Sequence, residues 1–141
     1  MANAQVMKVR YRKRSIKYVL ESDHWDTTAI RGYDIDTPFI RLTPEGRILK
    51  RAGYGWDGCS GPTKDDKTNQ RGGLNHDAKY QLMRMGLLPQ SCRAIADIEL
   101  KQECKEDGMG KIRYWYYYEG VNDFAAYAAR YGTEPKIEEA P

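Results

Sequence analysis

No C-x-x-C pair occurs among the three cysteines Cys59, Cys92 and Cys104, so the usual spacings of a structural zinc site are excluded. An odd count without a framework predicts reduced thiols in a cytosolic setting rather than a disulfide scaffold. No run of eighteen apolar residues exists, so no segment reads as a membrane-spanning helix. The first residues carry no apolar stretch of the secretory type, and synthesis in the cytoplasm is the expectation. Excess charge of one sign is also scarce. Net charge is +3, too small to imply general polyanion binding. Internal repeats are missing too, and 141 residues fit one domain spanning 1–141.

What the chain does have is tyrosine. Eleven tyrosines suit partly wet surfaces and interfaces, which agrees with an assembly component, and they suit equally the edge of a core. Residues 6–52 read mainly as strands. Val6–Leu20 is rich in Val, Ile and Tyr and partly alternates, and it predicts one or two strands broken around Arg12–Ser15. Lys8, Arg10, Arg12, Lys13, Arg14 and Lys17 form a local basic patch there. Such a patch can meet phosphates of lipid or nucleic acid, or it can be a solvated strand face that blunts an edge. A short strand is expected near Ala29–Arg31. Phe39–Thr43 and Arg47–Arg51, joined by Pro44-Glu-Gly, predict a β-hairpin.

Residues 53–73 read as a glycine-rich and polar loop. Gly53, Gly55, Gly58 and Gly61 let the backbone approach a ligand closely. The loop can aim carbonyls at a cation or amides at an anion, and Asp57 at its centre favours the cation. It can also be a tight strand-to-helix crossover packed under Trp56. Residues 74–131 read as helical. A first helix runs from about Leu74 to Met85 and stops at Gly86. A second runs from Gln90 or Ser91 to about Asp107, and the short connection makes the two antiparallel. A third, from about Gly110 to Arg130, contains Y-W-Y-Y-Y. Residues 132–141 are acidic and are expected to be a flexible tail. The fold class is therefore α+β, an N-terminal hairpin or small antiparallel sheet followed by three helices.

His76 precedes the helix-helix turn by about ten residues, and Asp97 follows it by a similar number. At about 1.5 Å per residue the two lie at similar depth, so a His76–Asp97 contact is expected. Tyr80 lies one turn beyond His76 on the same face. A neutral His held by a carboxylate can act as general base on water. A histidine beside an aspartate near a helix start can equally be a hydrogen-bonded structural residue.

H-D-A-K-Y at 76–80 resembles the H-D-x-x-Y signature of secreted-type phospholipases A2, and A-D-I-E-L-K-Q-E at 96–103 is similar to the second helix of the parvovirus-capsid phospholipase A2 domain. That resemblance implies His76 as base and Asp97 as its partner. It also implies a calcium ion held by Asp77 with Tyr54, Gly55 and Gly58 of the loop. The loop departs from that pattern in having Trp56 and Asp57. A closer resemblance is to a family of tailed phages and prophages, a domain of unknown function (number 1353). It is carried by G-Y-G-W-D-G-C-S-G-P at 53–62, which includes Ser60, by His76–Tyr80, by Ala96-Asp97 and by the aromatic Tyr114–Phe124.

Two main readings follow. One is a phage protein, associated with the virion as a neck, tail or capsid component, that carries a calcium-dependent phospholipase A2-like site acting on membrane lipid. The other is a purely structural virion or assembly protein, partnered by other virion proteins, in which the His-Asp cluster is structural or holds an ion. A weaker third is a nucleic-acid-binding accessory factor using Lys8–Lys17. No oligomeric state follows from the sequence.

Overall fold

The computed structural model describes residues 9–11, 18–57, 67–110 and 138–140. Its architecture is α+β. A four-stranded antiparallel sheet of order β3-β6-β5-β4 is built from β3 (His24–Thr27), β4 (Ile35–Asp36), β5 (Ile40–Leu42) and β6 (Arg47–Lys50). Two helices follow, α1 (Gln70–Arg84) and α2 (Arg93–Glu106), and they pack on each other through an extensive contact. The expected third helix, about 110–130, lies outside the described residues apart from Gly110.

The hairpin at the centre of the sheet has the expected place and register: Ile40 pairs with Lys50 and Leu42 with Ile48. Gly46 in its turn has φ +88°, and a Cβ there would come within 2.4 Å of the Thr28 carbonyl oxygen. Only glycine suits that position. Alternation then sorts the sheet into two faces. His24, Asp26, Ile48, Lys50, Ile40 and Leu42 share one face by register. Trp25, Leu49 and Arg41 share the other, where the Arg47 guanidinium lies 4.5 Å from the centre of the Trp25 ring. The apolar members of the first face are buried with Leu74, Ala78, Leu82, Met83 and Leu100 of the helices.

Three sequence expectations need correction. The strand expected near Ala29–Arg31 is replaced by strands on either side of it, β3 and β4. The cause is Thr28: its hydroxyl donates to Glu99 Oε1 at 2.6 Å and accepts from the Ile30 N–H at 3.1 Å, which bends the chain out of the ladder. Second, residues 70–73 are not loop. α1 starts at Gln70, four residues before Leu74. Gly72 and Gly73 read as helix breakers in sequence, yet α1 needs a small residue where it crosses α2. A Cβ on Gly72 would sit 3.0 Å from Leu100 Cδ1 and 3.1 Å from Cys104 Sγ. Third, the acidic end does not read as a free tail throughout. β8 (Glu138–Ala140) pairs antiparallel with β1 (Val9–Tyr11), setting Arg10 opposite Glu139.

The segment expected as a glycine loop is partly strand as well. β7 (Gly55–Trp56) pairs with β2 (Tyr18–Val19). The helix stops fall where expected. Gly86 follows the last turn of α1, and a single 3-10 turn, Gln90–Cys92, leads into α2.

Gly72→Val places a branched side chain against Leu100 and Cys104, and overpacking of this kind costs about 1–3 kcal/mol. Urea denaturation is expected to show that loss with an unchanged slope.

Candidate functional site

Three side chains named from sequence meet between the helices. His76 and Tyr80 stand one turn apart on α1, and Asp97 stands opposite on α2. His76 Nε2 is 2.8 Å from Asp97 Oδ1, and the Tyr80 hydroxyl donates to the same oxygen. The His76 and Tyr80 rings lie against each other with centres 4.0 Å apart. His76, Asp97 and Tyr80 are 4%, 3% and 2% exposed. Spacing explains the meeting: positions four apart share a helix face, and the short turn brings α2 back antiparallel.

The arrangement fixes the histidine's chemistry. An ionised carboxylate only accepts hydrogen bonds, so the proton on a neutral His76 belongs on Nε2, facing Asp97. Nδ1 then carries the lone pair. Burial holds the His76 pKa below its usual value, against the opposing pull of Asp97. The ring is therefore neutral at pH 7, with a defined tautomer and a basic nitrogen. That is the state a general base needs.

The loop residues are less concentrated. Tyr54 is buried, and its hydroxyl donates to Gln81 Oε1 at 3.1 Å. Its carbonyl accepts the Leu20 N–H at 2.9 Å. Gly55 stands opposite Val19 in the β2–β7 pair, and Trp56 packs against Tyr18 with ring centres 5.4 Å apart. Asp57 is exposed and Asp77 is half-buried. Gly58 and Ser60 lie outside the described residues, as do Lys8, Arg12, Lys13, Arg14 and Lys17. Arg10 stands in β1. Among the described residues no group of three or more His, Cys, Asp or Glu side chains is placed to hold a metal ion. Of the loop positions that the resemblance gives to calcium, Tyr54 has its carbonyl engaged by the Leu20 N–H and Gly58 lies outside the described residues.

Sequence reading missed a second polar assembly under the sheet. Arg71, Asn75 and Lys79 recur every four residues along α1, and Glu99 and Glu103 do so on α2. Arg71 pairs with Asp26 at 2.9 Å, Glu106 at 2.8 Å and Asp107 at 3.0 Å. Asn75 Nδ2 donates to Asp26 Oδ2 and to Glu103 Oε2, each at 2.8 Å. Lys79 Nζ lies 3.3 Å from Glu99 Oε2 and 3.8 Å from Glu103 Oε1. Glu99 in turn receives the Thr28 hydroxyl and the Ala29 N–H. Lys50 is buried on the facing strand, and among the described residues its Nζ donates to the Ile48 carbonyl alone, at 3.3 Å. The signal was present in the sequence as two four-residue spacings of polar and charged residues, which read more simply as solvated helix faces.

Comparison with family models, with curated proteins and with solved structures gives no match for this chain. The assignment therefore rests on the residues themselves.

The lowered His76 pKa sets a sign for acid sensitivity. Between the folded pKa and about 6.5 the unfolded chain binds the extra proton, so this group makes stability rise with pH through that window and stay level above it. Urea midpoints at pH 5.5 and 7.5 are expected to differ less in His76→Gln than in the wild type, because glutamine keeps a donor for Asp97 and does not titrate.

Proposed function

We propose that this is a phage-encoded, virion-associated protein, a neck, tail or capsid component made in the host cytoplasm, whose His76–Asp97–Tyr80 network is a general-base site of the phospholipase A2 type. The observation that carries the hydrolytic part is the double engagement of Asp97 by His76 Nε2 and the Tyr80 hydroxyl. It leaves Nδ1 as the nitrogen that accepts a proton from water. Asp97 steadies the imidazolium that forms, and Tyr80 holds the carboxylate in place. Water activated in this way would attack an ester carbonyl, with membrane lipid as the substrate class. The phage assignment is supported by the order and spacing of Gly53–Pro62, His76–Tyr80 and Ala96-Asp97.

A second reading, a structural virion protein, is favoured by one observation. All three side chains are almost completely buried, and a buried, satisfied polar network of this kind locks two helices in one register.

Release of fatty acid from phospholipid vesicles, anionic and zwitterionic, with and without calcium, separates the readings. The hydrolytic reading expects turnover that falls about 10²–10⁴-fold in His76→Gln, the range usual for loss of a general base. Calorimetric titration of calcium, with Asp77→Asn as control, tests the ion that the resemblance implies. Folded wild-type protein that releases no fatty acid under any of these conditions sinks the hydrolytic reading and leaves the structural one.

A further inference from the structure

The helices cover one face of the four-stranded sheet, and the opposite face has its own pattern. Trp25 pairs with Leu49, Leu49 with Arg41 and Arg41 with Asp36, so these four form one row across all the strands. Phe39, two residues before Arg41, falls on the same face, and its carbonyl accepts the Arg51 N–H at 2.9 Å. Trp25 is 43% exposed and Phe39 46%. Phe39 is held in place by Gly53, whose φ is +92° and where a Cβ would come within 3.1 Å of the ring. Within these four strands no Glu occurs, and the one Lys, Lys50, is on the other face. Aromatic and arginine side chains without lysine or glutamate are the composition found at the centre of protein interfaces.

Charge divides this face across the strands. On the β3 side the Arg47 guanidinium lies over the Trp25 ring, 4.5 Å from its centre. On the β4 side stand Asp34 and Asp36, which flank the buried Ile35 and whose side chains are 69% and 65% exposed. Arg41 holds Asp34 at 2.7 Å and Arg51 holds Asp36 at 3.0 Å. The two carboxylates are thus fixed on the face while most of each stays in solvent. They also repel a polyanion, which disfavours a phosphate-bearing partner here.

We propose that this face is the contact between two copies of the chain, stacked sheet on sheet about a two-fold axis that runs along the strands. Such an axis keeps every row at its own level and exchanges the two sides of the sheet. Trp25 and Arg47 of one copy then meet Asp34 and Asp36 of the other, and the symmetry makes the contact twice. A two-fold across the strands would instead set arginine side against arginine side and aspartate side against aspartate side. Charge therefore selects the first arrangement. Burial of the exposed Trp25 and Phe39 rings drives the association. Sheets stacked in this way lie about 10 Å apart, with strand directions within about 30°. The His76–Asp97–Tyr80 network is carried by α1 and α2, on the other face of each sheet, so the dimer leaves it untouched and stands apart from both functional readings.

Sedimentation velocity of the folded full-length protein, from micromolar to millimolar concentration, tests this. The expected result is a reversible monomer–dimer equilibrium in the wild type. Arg47→Glu, Asp36→Lys and Trp25→Ser are each expected to raise the dissociation constant by about tenfold or more. An equal mixture of the Arg47→Glu and Asp36→Lys proteins is expected to dimerise more tightly than either alone, because the mixed pair restores opposite charge at both contacts. Wild-type protein that stays monomeric throughout the range overturns the proposal. So does a dimer that all three substitutions leave unchanged, or a mixture no tighter than its components. Circular dichroism confirms the fold of each variant, and the wild-type measurement keeps the proposal falsifiable where a variant does not fold.

Discussion

Charge buried under a small sheet must be paired, and that constraint shapes this molecule. Asp26, Lys79, Asp97, Glu99 and Glu103 all lie in the region where α1, α2 and the sheet converge. Removing one member of a buried pair typically costs about 3–5 kcal/mol, because the other is left without compensation. The fold answers with multiple engagement. Glu99 takes a hydroxyl, an amide and an ammonium, and Asp97 takes an imidazole and a phenol. These bonds require α1 and α2 to approach closely and in one register, which is why Gly72 stands at the crossing. A larger side chain there would move apart the surfaces that hold the carboxylates.

That constraint also explains which parts of the structure could be read from sequence. The β5–β6 hairpin was legible because its turn, Pro44-Glu-Gly, and its flanking β-rich runs are local signals. The antiparallel helices and the His76–Asp97 contact were legible because they follow from helical rise and a short connection. Residues 70–73 were not. Q-R-G-G carries a breaker signal, and only the helix-helix crossing, made by residues about thirty positions away, reverses it. The bend at Thr28 was hidden for the same reason, since it is set by Glu99, seventy-one positions along the chain. The inward charges were hidden because four-residue spacing of Arg, Asn and Lys is also the pattern of a solvated helix. What distinguishes the two is the opposing face, and no local window contains it.

α1 thus serves two neighbours with two adjacent stripes. His76 and Tyr80 turn toward Asp97 of α2, while Arg71, Asn75 and Lys79 reach Asp26 of the sheet and the glutamates of α2. The stripes are one residue out of phase, so neither can rotate without moving the other. A histidine serving as a general base gains from this, because its lone pair must be aimed before water arrives. A structural protein gains from it as well, because the same bonds define a single packing of helix on sheet. The polar seam is therefore neutral between the two functional readings. Its specific consequence is positional: a rotation of α1 that released Asn75 and Lys79 from Asp26 and the glutamates would also carry His76 away from Asp97.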